Sequence, residues 1–298
     1  MMKKRAFDEI IKQNIQEATG FHDFGYQLSE KNTEPYSNYF SKEAFFSFVE
    51  EMKSAPYRDI YHSYHNGKGS ELTEKNGKYG KMPPKMASVA SSSRFCYLAL
   101  RDGVQEFGIH GNILFEHECK ITGISGNAPQ LDAYIPEKNT YIEVKCHEIF
   151  DPHIIKLKNT YWNFFFGESN PFGFDIMENP EQEYFSIPLS AFGIEKASSM
   201  FDIKQLLCHL LGISSQKEAT APASLVYLFF QPKVTSVTVQ KEIDEVFAEL
   251  QDEISKIFYS APIQQFIQSN HIQLKAIAEY SAVMEPLKPD NILTIAEV

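Results

Sequence analysis

Apolar residues recur at helical spacing near the N-terminus. Phe7, Ile10, Ile11 and Ile15 share one face over 5–18, and "SKEAFFSFVEEMKSA" (41–55) repeats the pattern with Ser41 placed to cap it. Next comes "KGSELTEKNGKYGKMPPK" (68–85), glycine-bearing and closed by Pro83-Pro84, which predicts a long exposed loop. "SSSRFCYLALRDG" offers serines to open a helix, apolar Phe95, Leu98 and Leu100, and Gly103 to end it. Three strand-like runs follow, "NILFEHECKI" (112–121), "PQLDAYI" (129–135) and "TYIEVKCH" (140–147), separated by the turn-rich "TGISGNA" and "PEKN". Residues 149–200 are irregular and rich in aromatic side chains, so they predict an insertion packed on the core. "FDIKQLLCHLLG" (201–212) predicts an amphipathic helix ended by Gly212, and "SLVYLFFQP" (224–232) a buried strand ended by Pro232. In "KEIDEVFAELQDEISKIF", Ile243, Val246, Phe247, Leu250 and Ile254 form one stripe and the acids a solvated face.

The core order is therefore helix, three meandering strands, helix, strand. One of those strands carries a puzzle, because Glu143 and Lys145 sit within an otherwise apolar run. Alternation sends Tyr141, Glu143 and Lys145 to one face and Ile142, Val144 and Cys146 to the other. With "PEKN" as a four-residue hairpin loop, Ile135 faces Thr140, Ala133 faces Ile142 and Tyr134 faces Tyr141. Continuing that register puts Leu131 against Val144, Gln130 against Lys145 and Asp132 opposite Glu143. Carboxylates directly opposite in a hairpin have Cβ atoms about 5 Å apart and repel. Lys145 offsets part of that charge, and a divalent cation between the acids would offset the rest. Docking the first strand with Ile121 against Pro129 places Glu118 beside Asp132 as a third acid; a register slip of two exchanges it for Glu116 or Lys120.

Composition narrows the setting. The chain has 298 residues, 43% hydrophobic and 22% charged, with a formal net charge of −11. That balance is ordinary for a globular protein and unlike one that coats nucleic acid by bulk electrostatics. The 68–85 stretch is locally basic, so Lys78, Lys81 and Lys85 are candidates to meet phosphates. No apolar run is long enough to span a bilayer and the N-terminus lacks the pattern of a signal peptide, so a cytoplasmic protein without membrane contact is expected. The four cysteines, Cys96, Cys119, Cys146 and Cys208, lack paired metal-site spacing and are expected reduced and mostly buried.

Asp132, ten residues, then Glu143-Val144-Lys145 on the next strand resembles the signature of the PD-(D/E)XK nuclease superfamily. The resemblance covers roughly residues 86–232, about half the chain, and includes the helix-strand-strand-strand-helix-strand order. It implies an α/β fold with a restriction-endonuclease-like core, a mixed sheet flanked by helices. Around that core, residues 1–85 form a helical N-terminal part with its basic loop, and 86–298 form the nuclease-like domain with the 149–200 insertion and C-terminal additions. It further implies Mg²⁺, replaceable by Mn²⁺, held by Asp132, Glu143 and the carbonyl of Val144, with Glu118 as a further acid, and Lys145 orienting or activating water. Gln205, with His209 one turn later, stands where the helix after the third strand often lends a polar residue. Arg94 or its neighbouring serines occupy the helix that in the superfamily often supplies a glutamate, and Arg94 joins the lysines as a candidate substrate contact. Leu131 replaces the proline of the signature. The implied activity is Mg²⁺-dependent hydrolysis of DNA, by an endonuclease that in restriction-type relatives is often a homodimer. The alternatives are a binding or scaffold module that keeps the fold without catalysis, and a nuclease acting on RNA.

Other constellations carry less. His117, Cys119, Cys146, His147 and His153 do not show zinc-ligand spacing, and buried thiols are the simpler reading. The aromatics of 161–174 suit packing better than base stacking. No P-loop is present.

Overall fold

A computed structural model of the chain describes residues 2–28, 34–67, 70–77, 80–103, 112–124, 128–168, 170–175, 182–216 and 222–298. The first half comprises α1 (Lys4–Thr19), the hairpin β1 (Phe24–Tyr26) and β2 (Tyr36–Phe40), α2 (Lys42–Lys53), α3 (Arg58–Asn66), the small hairpin β3 (Lys75–Gly77) and β4 (Gly80–Met82), and α4 (Ser92–Leu100). Then follow β5 (Leu114–Glu118), β6 (Gln130–Ile135) and β7 (Thr140–Lys145), the insertion with β8 (Lys156–Lys158), α5 (Trp162–Phe166) and β9 (Tyr184–Ser186), and α6 (Ile203–Ser214). The chain closes with β10 (Ala223–Pro232), α7 (Val237–Phe258), α8 (Ala261–Asn270), β11 (Ile272–Ser281) and β12 (Ile292–Glu297).

The fold is mixed α/β. Its central sheet has six strands in the order β12-β11-β10-β7-β6-β5. β5, β6 and β7 form the antiparallel meander read from the sequence, β10 lies parallel to both β7 and β11, and β12 runs antiparallel to β11 at the far edge. A parallel neighbour for β7 requires a long crossover, and the insertion with α6 supplies it. β10 is central and buried along nearly its whole length, which explains its uninterrupted apolar sequence.

The expected helices stand where periodicity put them. Ser41 caps α2 by accepting a hydrogen bond from Ala44 N at 3.0 Å, and Ser91 caps α4 through Arg94 N at 3.2 Å. The aromatics of the insertion are packing residues. Phe165 stacks on Phe172, which stacks in turn on Phe266 of α8, and Trp162 meets Phe185 edge-on. The N-terminal helices join the same continuous core, with Tyr64 of α3 against Phe115 of β5 and Phe7 of α1 against Phe150.

Two local expectations change. The lysine-bearing stretch is not simply an exposed loop, because Ser70, Glu71, Leu72, Pro83 and Pro84 are buried and its middle closes as the β3–β4 hairpin. Gly212 does not end α6, which continues to Ser214. A Cβ at Gly212 would sit 2.8 Å from the Cys119 Cβ and 2.9 Å from its carbonyl oxygen, so glycine is there to let the chain after β5 touch the helix. Gly212→Ala is therefore expected to cost about 1–3 kcal/mol in a denaturant titration, since a backbone neighbour must move. An unchanged midpoint would show that the contact is slack.

Candidate active site at the parting of two strands

The β6–β7 hairpin has the register expected from its loop: Ile135 pairs with Thr140, Tyr134 with Tyr141 and Ala133 with Ile142. Asn139 at the turn takes the left-handed conformation (φ 45°), which an Asn tolerates better than most side chains. Pairing then stops. Asp132 does not face Glu143 as a ladder pair; its carboxylate instead accepts the Val144 backbone N–H at 2.7 Å. Leu131 and Gln130 likewise leave β7 and pair with His117 and Glu118 of β5. β7 stays bonded to β10 as far as Lys145 against Phe229. A notch opens where β6 follows β5 and β7 follows β10, and the charged side chains sit in it.

Glu143 is the most enclosed of them, 4% exposed. Its Oε1 accepts from Lys145 Nζ at 2.6 Å and from Gln205 Nε2 at 2.8 Å. Gln205 reaches it from the first turn of α6, which Asp202 caps by accepting from the Gln205 N–H at 2.9 Å. Oε2 of Glu143 is buried and has no hydrogen-bond partner; His209 Nε2 is 3.8 Å away. A buried carboxylate oxygen without a donor costs free energy comparable to a lost charged hydrogen bond, about 1–3 kcal/mol or more. Asp132, Lys145 and Gln205 are each partly exposed, so the notch opens to solvent.

Charge in the notch is tightly coupled. Burial, and then the neighbouring Glu143, push the Asp132 carboxyl well above the usual range, against the pull of Lys145 and the Val144 hydrogen bond. Burial acts to lower Lys145, but Glu143, Glu148 and Asp132 together outweigh it and the ammonium is held above its ordinary pKa. Lys145 is therefore a cation here rather than a free amine. Glu148, just past β7, accepts from Cys146 N at 2.7 Å and is held low, against burial, chiefly by Lys145.

The third acid is Glu116 and not Glu118. The β5–β6 register is offset by two residues from the expected one, so Glu118 pairs with Gln130 and Glu116 stands level with Asp132. Glu116 has φ 57°, an unfavourable conformation for a non-glycine residue. Its carboxylate accepts from Gln130 Nε2 at 2.7 Å, and burial, with Glu71 adding to it, pushes its pKa up to about 7.

Sequence reasoning passed over Glu71. It is buried, takes Lys85 Nζ at 2.6 Å and the Ser93 hydroxyl at 3.0 Å, and feeds negative potential to Glu116. Its only signal is its place in a lysine-rich run, which reads as solvated. Lys85 is thus committed to a buried acid rather than standing free for phosphate. Lys81 lies on β4, and Lys78 lies outside the described residues. Arg94 is not brought to the notch; its guanidinium packs 3.6 Å from the Phe40 ring centre, on the side of α4 toward α2.

The zinc constellation does not assemble. Cys119 and Cys146 are buried free thiols whose pKa values burial raises, to about 12 for Cys119. His147 pairs with Asp8 at 2.7 Å and His153 with the Glu148 carbonyl at 3.0 Å. His209 is 1% exposed, bonds the Tyr227 hydroxyl at 3.2 Å, and burial lowers its pKa, so it is a neutral core imidazole.

Among the described residues no group of three or more His, Cys, Asp or Glu side chains is arranged to enclose a metal ion, and no helix is long and apolar enough to cross a membrane. Structural zinc demands four such ligands, and catalytic zinc three with a water. Mg²⁺ is commonly held by one or two carboxylates, with water and substrate oxygens completing its shell. The orphaned Glu143 oxygen beside Asp132 fits the Mg²⁺ kind of site. Comparison with protein-family models, with curated proteins and with solved structures finds no match to this chain.

Proposed function

We propose that the chain is a Mg²⁺-dependent nuclease of the PD-(D/E)XK type, with a restriction-endonuclease-like core, that hydrolyses phosphodiester bonds in DNA. The observation that carries the reading is the buried, partnerless Oε2 of Glu143 in a solvent-reaching notch shared with Asp132 and Lys145. An ordinary surface ion pair has no use for that arrangement, since both carboxylate oxygens would be hydrated.

Asp132 and Glu143 would hold the cation, with Mn²⁺ an acceptable substitute and the Val144 carbonyl a further oxygen donor. When bound, Mg²⁺ supplies charge neutralisation on the phosphate and lowers the pKa of water. The chain's own groups do the rest. The Val144 N–H fixes one Asp132 oxygen, and Gln205 and Lys145 fix Glu143 Oε1, which leaves Glu143 Oε2, 3.8 Å from His209 Nε2, as the carboxylate oxygen without a donor. Lys145, held protonated by three acids, is placed to donate a hydrogen bond to a phosphate oxygen or to an attacking water as negative charge grows there. The order α4, β5, β6, β7, α6, β10 agrees with the core that the resemblance implies.

Plasmid nicking tests this reading. Purified wild-type protein with Mg²⁺ or Mn²⁺ is expected to convert supercoiled DNA, and EDTA to stop it. Lys145→Met should reduce the rate by about a hundredfold or more, the scale of one lost oxyanion donor. Gel shifts in EDTA without cleavage under any metal would instead point to a binding module. Cleavage confined to single-stranded RNA in a parallel assay would move the substrate from DNA to RNA.

A further inference from the structure

A second place in the molecule holds charge without a partner. Between α1, α2, α4 and the segment 283–285 lies a cavity of about 620 Å³, open on one side and walled by none of Asp132, Glu143, Lys145 or Gln205. That volume is in the range of small-molecule pockets. Among the described residues its walls are apolar apart from Thr19, Ser47, four carboxylates (Asp23, Glu43, Glu51 and Glu285) and one basic side chain, Arg94.

The guanidinium carbon of Arg94 lies 3.6 Å from the centre of the Phe40 ring and 5.3 Å from that of Phe48, within cation–π reach of both. Its Nε is buried and has no hydrogen-bond partner, and among the described residues no carboxylate ion-pairs with it. Acids do line the cavity, but they are engaged elsewhere or lie at its rim. Glu51 binds Arg101 at 2.8 Å, Glu285 binds Lys288 at 3.3 Å, Asp23 accepts the Ser41 hydroxyl at 2.6 Å, and Glu43 is exposed on the first turn of α2. Arg94 is partly exposed and its Nε is covered, and this partial burial without a counter-charge acts to lower its pKa.

We propose that the cavity is a binding site for a small organic oxyanion, a carboxylate or phosphate carried on an apolar or aromatic body, with Arg94 as its anchor. The oxyanion takes the vacant N–H edge, and the body fills the apolar space beside Phe48 and Leu98. Separation from the notch makes this site independent of the nuclease reading.

Isothermal titration and thermal shift on the full chain test it, using benzoate, indole-3-acetate and phenyl phosphate against benzamide and benzyl alcohol. Saturable binding of the anions with little or none of the neutral analogues is expected, and the carboxylate and phosphate arms identify which oxyanion fits. Arg94→Gln should weaken the bound anion by at least about tenfold. Ser47→Trp, which leaves Arg94 intact and fills the cavity from α2, should also abolish binding. The Arg94 Nε–H resonance in ¹⁵N spectra of the wild type should shift on titration, a readout that needs no folded variant. Equal binding of neutral and anionic probes, an Nε–H signal unmoved by every anion, or affinity unchanged in Ser47→Trp overturns the proposal.

Discussion

Replacing Asp132 by asparagine is expected to cut DNA cleavage by about a thousandfold, about 4 kcal/mol of transition-state stabilisation, while the cation-free protein becomes more stable. The fold survives because the asparagine carbonyl can still accept the Val144 N–H that Asp132 accepts at 2.7 Å. What disappears is a charge that burial and Glu143 both disfavour. The sign follows from linkage. A carboxyl whose folded pKa lies above its unfolded value binds its proton more tightly in the native state, so it removes stability as pH rises above the unfolded value. Neutral asparagine carries no such penalty, and a gain of about 1 kcal/mol in EDTA at neutral pH is expected. Saturating Mg²⁺ should reverse the order, because a cation at a hundred times its Kd stabilises the wild type by about 2.7 kcal/mol and has lost one of its two carboxylates in the variant. Thermal melts of both proteins with EDTA and with Mg²⁺ check this crossing. A variant destabilised under both conditions would make Asp132 a structural residue.

The second large effect lies outside the notch. Glu279 on β11 is 1% exposed and neither of its carboxylate oxygens has a hydrogen-bond partner; nearby Ser281 donates its hydroxyl to the Val283 carbonyl instead. Burial pushes the Glu279 pKa up to about 8, with Glu285 adding to it and with Ser281 and Lys288 acting to lower it. Its unfolded value is near 4.3, so the wild type loses stability steadily as pH rises from about 4.3 toward 8 and regains none above that. Glu279→Gln removes the titration. Because the cost of the unpaired amide does not depend on pH, the difference between the two proteins should move in the variant's favour by about 4 kcal/mol between pH 4.5 and pH 9. Urea midpoints across that pH range measure it. A constant difference between the two proteins would mean that Glu279 does not titrate in the folded state.

The hairpin at the centre of the site is legible in the sequence because each constraint on it is local. The loop "PEKN" fixes the register, and Ala133, Ile135, Ile142 and Val144 must share one apolar face, so a slip of one residue would set charged side chains of one strand against the apolar side chains of the other. Gln205 is legible only through the superfamily resemblance; the structure sets it against Glu143 Oε1, at 2.8 Å, from the first turn of α6, which Asp202 caps.

The third acid is not legible in that way. The segment joining β5 to β6 is long, and Glu116 adopts a backbone conformation that no periodicity rule anticipates. Choosing Glu118 over Glu116 required that register, and the sequence leaves it free by two residues. Glu71 and Lys85 pair across fourteen residues, around the β3–β4 hairpin, and long-range ion pairs have no sequence period. α3, with Tyr64 its one buried side chain, offers no apolar stripe to read, and β1 and β2 are too short for alternation to register. Arg94 shows the limit of composition most clearly. A basic residue near the head of a helix reads as a phosphate contact, yet Phe40 and Phe48, far away in sequence, hold it against a different cavity.

Whether a divalent cation occupies the notch is measured most directly by Mn²⁺ titration followed by electron paramagnetic resonance, comparing wild type with Asp132→Asn and Glu143→Gln. One bound Mn²⁺ per wild-type chain, displaced by excess Mg²⁺ and lost in both variants, is the expected result. No bound Mn²⁺ in the wild type at millimolar concentration, or undiminished binding in the two variants, contradicts the account.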